Sequence, residues 1–565
     1  MSASVISPHR SPRTAPLRLH GESLLLLACV HQALFLNTPF WHAVLAGRAG
    51  GDARTWLYAA AVFVFLSGLH FALLALFIHR RIARPALVLL FATSAVAAYF
   101  MNAHGIYLDP DMLRNVLQTD YAEARELAGP ALLGYLALHA ALPALLLTRV
   151  ELIASPWPRA LLRRIASIVL ALAASAGALL LVFQDFSSLM RNHKEIRYLA
   201  TPGNYLYSTA VAASGEARHH TGPRQPVALD ATLGPRGRQR HKPVLLVIVA
   251  GETARAANWG LSGYARQTTP QLAAREVINF SHVTSCGTST AVSIPCMFSP
   301  YGRAGYDEAR IARSESLLQV LARAGYAVHW VENQSGCKGV CDGIDTRAIA
   351  NNRDPQHCDG ERCLDEVLMD ELDAIVRAGE PVNRVVVLHA LGNHGPAYFR
   401  RHPASERHYT PTCDTAELRQ CSREQIVNSY DNALRYTDAV LARTIDLLKT
   451  WHQRYDTALV YASDHGESLG ENGLYLHGVP YALAPEQQTH VPMVAWLSEG
   501  MQQRSGVRTD CLRDRAERPV SHDHLFHSVL GLMDVSTAVR RPGLNLFEPC
   551  LSPAAAAPVS GPRAG

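Results

Sequence analysis

Five long apolar stretches fill the first third of the chain, at residues 24–46, 56–78, 85–101, 129–147 and 165–183. Each has about the length a helix needs to cross a hydrocarbon core. Apolar character continues around every one of them with no charged face, which argues against a bundle of soluble helices. Composition agrees: 48% of the 565 residues are hydrophobic and 18% charged, which excludes an intrinsically disordered chain. The length leaves room for about four domain-sized portions, so a large folded part must follow the spans. A net charge of +5 is too small to argue for nucleic-acid binding, and no nucleic-acid partner is expected.

Basic residues in the short flanks set the orientation. Arg10, Arg13, Arg18, Arg80, Arg81, Arg84, Arg149, Arg159, Arg163 and Arg164 lie on one side, against Arg48, Arg54, Arg114 and Arg125 on the other. Ten against four places the N-terminus in the cytoplasm, and an odd number of spans delivers everything after Phe186 to the opposite side. The cysteines point the same way. Cys29 sits alone in an apolar run, whereas Cys286, Cys296, Cys337, Cys341, Cys358, Cys363, Cys413, Cys421, Cys511 and Cys550 all follow residue 280. An even set of mostly close neighbours reads as up to five disulfides in an oxidising compartment. The spacings fit no zinc finger, and proximity alone leaves Cys511 with Cys550 as the least determined pair.

From Pro243 the pattern changes to short apolar runs separated by helix-like segments, at residues 244–250, 327–331, 385–390, 458–462 and 491–497. These read as buried strands of a mostly parallel sheet in an α/β layer fold, in which ligands gather at the carboxyl ends of the strands. Polar residues stand at three such ends: Glu252 after the first, His394 after the third, Asp464 and His465 after the fourth. Glu252, Asp464 and His465 make a reasonable set of ligands for Zn²⁺ or another divalent cation with one position open. The stretch Ser285-Cys-Gly-Thr288-Ser289-Thr290 runs into an expected helix start, where backbone N–H groups cradle an anion. Spacing does not choose a nucleophile among Thr288, Ser289 and Thr290. On the outer side, Asn115, Thr119 and Glu123 recur every four residues and would share a helical face, which periodicity alone reads as a solvated face.

Gly251-Glu-Thr-Ala-Arg-Ala-Ala-Asn258, Ser285-Cys-Gly-Thr-Ser-Thr-Ala-Val-Ser-Ile-Pro-Cys-Met-Phe-Ser299, Gly392-Asn-His-Gly-Pro396 and Ser463-Asp-His-Gly-Glu-Ser-Leu-Gly-Glu471, followed by Tyr475-Leu-His477-Gly, resemble the bacterial phosphoethanolamine transferases that modify lipid A, including the mobile colistin-resistance enzymes. The resemblance covers nearly the whole chain. It implies a five-helix transmembrane bundle and a periplasmic α/β domain of the alkaline phosphatase/sulfatase type, anchored in the inner membrane and acting as a monomer. It implies Thr290 as acceptor of the phosphoethanolamine group, with Glu252, Asp464, His465 and Thr290 itself as zinc ligands. Thr288, Lys338, His394 and His477 match positions that hold the substrate phosphate or a second zinc, and Asn115, Thr119 and Glu123 match a substrate-lipid motif. Gln334 stands where relatives often carry Asn, and the resemblance implies a place for it among the substrate-binding residues.

The expected layout is a cytoplasmic tail at 1–19, a membrane domain at 20–186 with an outer helix at 107–127, a connector at 187–241, a catalytic domain at 242–548 and a disordered tail at 549–565. The expected reaction moves phosphoethanolamine from phosphatidylethanolamine to a lipid A phosphate through a covalent threonine intermediate, lowering surface charge and favouring polymyxin resistance. The rivals are a transferase acting on a core sugar or periplasmic glucan, a sulfatase or phosphodiesterase releasing the headgroup to water, and a non-enzymatic membrane scaffold, which would have no need for Glu252, Thr290, Asp464 and His465 together.

Overall fold

The structure, a computed structural model, describes residues 16–119, 121–219, 224–238, 242–350 and 354–552. These form two compact units: one from the chain up to Ala103 together with Pro130–Leu206, the other from His104–Gly129 together with the chain from Tyr207 onward.

In the first unit α1 (Gly21–Phe35) and α2 (Thr38–Val44) are apolar enough to span only as a pair, bent by 64°. The bend has a local cause. Pro39 in the first turn of α2 has no N–H to continue the ladder, and the Asn37 side chain donates to the carbonyls of Gln32 and Thr201, both at 2.8 Å. Among the described residues, four helices have spanning length on their own: α3 (Ala53–Phe77), α4 (Ala83–His104), α7 (Pro130–Leu147) and α8 (Trp157–Leu181). The five apolar stretches thus correspond to four continuous helices and one broken pair.

The segment between α4 and α7 groups with the second unit. It is two helices, not one: α5 (Pro110–Gln118), capped by Asp109 on the Met112 N–H, and α6 (Tyr121–Leu127). Thr119 lies between them with extended backbone, so the four-residue period does not run along one continuous helix from Asn115 to Glu123.

The second unit is built on an eight-stranded sheet. Its strands are β1 (Val244–Gly251), β2 (Ile278–Thr284), β3 (Ala327–Glu332), β4 (Asp345–Ala348), β5 (Arg384–His389), β6 (Asp456–Ser463), β7 (His490–Leu497) and β8 (Val520–Ser521), in the order β8-β2-β7-β6-β1-β5-β3-β4. Every pairing is parallel except those of β7 with β2 and β6. Both faces are covered, which is why the central strands are continuously apolar. Leu246, Ile248 and Ala250 of β1 face a core shared with α10 (Leu317–Arg323) and α13 (Asp523–Leu532). Leu245, Val247 and Val249 face one shared with α11 (Glu366–Arg377) and α12 (Arg423–Thr450).

All ten late cysteines are paired: Cys286 with Cys296, Cys337 with Cys341, Cys358 with Cys363, Cys413 with Cys421 and Cys511 with Cys550. Cys29 is buried and unbridged. The last bridge corrects the expected disordered tail at 549–565, because residues through Ser552 are held: the Ser552 N–H donates to Gly506 O at 2.7 Å. The rest of that expectation, and the greater part of the cytoplasmic tail, lie outside the described residues.

Candidate active site

The site follows from one stretch of strand register. β1 and β6 are parallel neighbours with Gly251 beside Ser463, so the next residues, Glu252 and Asp464, leave the sheet side by side. The chain then turns sharply at Thr253, a buried non-glycine residue at φ +52°, a conformation costly to a β-branched side chain. The turn aims the Thr253 N–H at Asp464 Oδ1 (3.2 Å), and the His465 N–H reaches the same oxygen at 2.7 Å. Among the described residues Asp464 Oδ2 has no hydrogen-bond partner, although it is buried. His465 Nδ1 donates to Gly466 O at 2.9 Å, which fixes the tautomer and turns the Nε2 lone pair toward the carboxylates.

His465 Nε2 lies 3.4 Å from Glu252 Oε1 and 3.4 Å from Asp464 Oδ2, all three side chains being fully buried. Donors about 2.0–2.1 Å from a tetrahedral ion stand roughly 3.3 Å apart, so the spacing fits such an ion. Burial pushes the Asp464 carboxyl up to about 6 and, with the neighbouring His477, holds the His465 imidazole well below its ordinary value. Two buried carboxylates, a neutral imidazole and an orphaned oxygen are the donor chemistry of a divalent metal site.

Thr290 opens α9 (Thr290–Met297) and is 3% exposed. Its Oγ1 is 3.1 and 3.3 Å from the Glu252 carboxylate oxygens and 3.4 Å from His465 Nε2. Of the three candidate hydroxyls, Thr290 is the one the structure brings to the cluster. Thr288 donates to Val479 O at 2.8 Å while its own carbonyl accepts from Gly478 N, tying the cradle to the loop after His477. The Cys286–Cys296 bridge closes this loop from behind.

Gln334 lies against Glu252. Its Nε2 donates to Glu252 Oε2 at 3.1 Å, and its N–H donates to Glu332 Oε1 at 2.7 Å, so it steadies a candidate ligand. Lys338, at φ +50° in the loop closed by Cys337–Cys341, donates to Ser335 O and Oγ at 2.8 and 2.9 Å. His394, His477 and His465 form a row, with ring centres 5.6 and 4.4 Å apart. Thr119 Oγ1 donates to Asn115 O at 2.9 Å, and among the described residues neither side chain hydrogen-bonds to the cluster. The Glu123 side chain lies outside the described residues.

Several residues that sequence reasoning did not single out support the site. Glu467, fully buried, accepts from His477 Nδ1 at 3.3 Å, and its place three residues after Asp464 in the Asp-His-Gly-Glu run was the available signal. Ser463 Oγ accepts from Ala254 N and donates to His465 O. Glu332 accepts from His389 and Trp330 as well as from Gln334, and nothing local marks it.

The chain is similar to known proteins over most of its length. The sulfatase family model matches residues 245–535, and the phosphoethanolamine transferase EptA/EptB model matches residues 66–217. The chain is 37% identical over 528 residues to phosphoethanolamine transferase EptA of Escherichia coli K12, covering 93% of this chain and 96% of that protein. It is 38% identical over 467 residues to phosphatidylethanolamine transferase Mcr-1 of E. coli, covering 81% and 85%. Among solved structures, the integral membrane lipooligosaccharide phosphoethanolamine transferase A of Neisseria meningitidis superposes with a TM-score of 0.90 at 35% identity, over 95% of this chain and 100% of that one. With a sulfatase-type domain whose strand ends carry a buried metal-type cluster and a hydroxyl beside it, the chain belongs to the EptA family of phosphoethanolamine transferases.

Proposed function

We propose that this protein transfers phosphoethanolamine from phosphatidylethanolamine to a phosphate of lipid A in two steps, with Thr290 as the temporary carrier. It acts from the inner membrane, with its catalytic unit in the periplasm. The observation that carries the reading is the position of Thr290 Oγ1, at the start of a helix and within 3.4 Å of both Glu252 and His465. Glu252 accepts the hydroxyl hydrogen bond and so marks where the proton goes as the oxygen attacks phosphorus. The new O–P bond joins threonine to phosphoethanolamine, the bond from phosphorus to diacylglycerol breaks, and the departing alkoxide takes a proton from His394 or His477. A lipid A phosphate oxygen then attacks the same phosphorus, the threonine O–P bond breaks, and the threonine oxygen takes its proton back from Glu252, while the lipid A phosphate's proton passes to the histidine that donated one. His394 and His477 line the approach to the phosphoryl group, with His477 held by Glu467. The first N–H groups of α9 face the developing negative charge.

A Zn²⁺ ion held by Glu252, Asp464, His465 and Thr290 supplies Lewis acidity toward the hydroxyl and the phosphate oxygens. Gln334 keeps Glu252 in place, and the Cys337–Cys341 bridge keeps Lys338 on the rim. Each ethanolamine added to lipid A removes net negative charge, so the outer surface attracts polymyxin and other cationic peptides less strongly.

The test is intact mass of the purified full-length protein after incubation with phosphatidylethanolamine and zinc. One added phosphoethanolamine group, mapped to Thr290 and missing from Thr290→Ala, is the expected result. Wild-type protein that releases free ethanolamine phosphate and never carries the adduct would be a hydrolase, and the proposal would fail. Mass spectrometry of lipid A from cells with and without the chain then identifies the acceptor. Unmodified lipid A beside a modified core sugar or glucan would move the activity to that acceptor.

A further inference from the structure

Glu126, near the end of α6, is an acidic residue that points inward, its side chain 3% exposed. Arg401, whose side chain is 1% exposed, grips it with both terminal nitrogens: Nη1 donates to Oε1 at 3.1 Å and Nη2 donates to Oε2. Arg362 Nε and Arg400 Nη1 stand 3.7 and 3.8 Å from the same carboxylate. The third edge of the Arg401 guanidinium is also committed, since Nε donates to His394 O at 2.6 Å. One buried side chain therefore joins a helix that follows Asn115 and Thr119 to the main chain of a histidine beside the metal-type cluster.

The energetics limit what this link can be for. A buried ion pair adds little net stability compared with well-packed apolar residues, yet removing one partner strands a charge, so the pair persists as a unit and acts mainly on geometry. The residue type matters as well. A guanidinium presents donors in a fixed planar fork and can hold a carboxylate and a carbonyl at a set angle, whereas an ammonium is a single point charge on a flexible stem.

We propose that Arg401, held by Glu126, is a positioning residue for the transfer reaction: it fixes the His394 main chain, and with it the His394–His477 pair, at a set distance from the α5–α6 segment, whose Asn115, Thr119 and Glu123 resemble a substrate-lipid motif. This inference rests on the transferase reading above and adds to it a determinant of donor placement. Among the described residues Arg401 makes no hydrogen bond to Glu252, Thr290, Asp464 or His465.

The experiment measures the rate of Thr290 adduct formation against phosphatidylethanolamine concentration in the full-length protein, together with the fraction of molecules that react at saturation. Arg401→Lys is expected to raise KM for the donor by about tenfold with an unchanged reactive fraction. Glu126→Gln, which leaves a neutral partner on the guanidinium, is expected to give a shift of roughly threefold in the same direction. A purely structural ion pair would instead reduce the reactive fraction and leave KM alone, and that result overturns the inference. If Arg401→Lys does not fold, Glu126→Gln decides by the same criteria. Wild type that forms no adduct refutes the transferase reading, and this inference with it. Wild type that forms the adduct beside an Arg401→Lys of normal KM refutes this inference alone.

Discussion

Gly392 offers a way to move Glu252 without touching it. The residue has φ +53°, and a Cβ built on it would lie 2.7 Å from Glu252 O and 3.1 Å from both Glu252 N and Cβ. Ordinary contact begins at 3.4 Å, so the carbonyl must retreat by roughly 0.7 Å. It is not free to do so, because it accepts from Asn393 N at 3.0 Å. Gly392→Ala therefore combines two costs: about 1 kcal/mol for an alanine in left-handed backbone and about 2 kcal/mol for the collision. Gly343 makes the control, since it has φ +73° with nothing within 4 Å of its Cβ, so Gly343→Ala carries only the first cost. Glu252 lies against the Thr290 hydroxyl, and displacements approaching 1 Å at reacting groups cost up to about 10²-fold in rate. The expected pattern is a loss of about 3 kcal/mol in denaturant unfolding and a 10- to 100-fold slower adduct formation for Gly392→Ala, with reduced zinc content by elemental analysis. Gly343→Ala should lose about 1 kcal/mol and keep its rate. Identical behaviour of the two variants would refute the argument that the β1 turn sets the Glu252 position.

Acidification should weaken the fold through His522, which is fully buried, accepts from Cys286 N on Nδ1 and donates to Ser463 O from Nε2. Burial holds its imidazole down to about 4, so between pH 6.5 and 4 the unfolded chain binds the extra proton; stability present above 6.5 is lost as pH falls through that window, by about 3 kcal/mol. Urea titrations should show a shallower pH slope for His522→Gln than for wild type, and equal slopes would remove His522 as the cause. Replacing Cys511 and Cys550 by Ser opens a crosslink between positions 39 residues apart and should lower stability by up to about 4 kcal/mol while zinc binding persists; a simultaneous loss of metal would mean that this bridge shapes the site. Gln334→Leu removes the donor to Glu252 and should weaken zinc binding roughly tenfold in a competition titration, and unchanged affinity would show that the bond is dispensable.

The parts of the molecule legible in the sequence were those where one physical demand wrote a local pattern. β1, β5, β6 and β7 are buried on both faces and so stand out as apolar runs, and β3 reads as one interrupted by His329. Glu252, Asp464 and His465 follow strand ends directly, where parallel sheets gather ligands. β2 carries Asn279, Ser281 and His282 on its less buried positions, and the short edge strands β4 and β8 have little apolar content, so none of the three declares itself. The break at Thr119 could not be read from a four-residue period, which two short helices satisfy in part. Glu126 and Arg401 are 275 residues apart, and no periodicity records a contact of that separation. Gln334 was visible as a departure from Asn, but its bond to Glu252 depends on Glu332 holding its backbone, a detail only the fold supplies.

The ladder that sets Gly251 against Ser463 also imposes an order of events during synthesis. More than two hundred residues must emerge before the second carboxylate can meet the first, and a slip of one position would send it to the wrong face of the sheet. A half-made chain therefore has no complete nest for a cation and no primed alcohol with which to attack surrounding lipids. Reactivity arrives only with the finished architecture, which spares the host bilayer from an enzyme that begins work before it is whole.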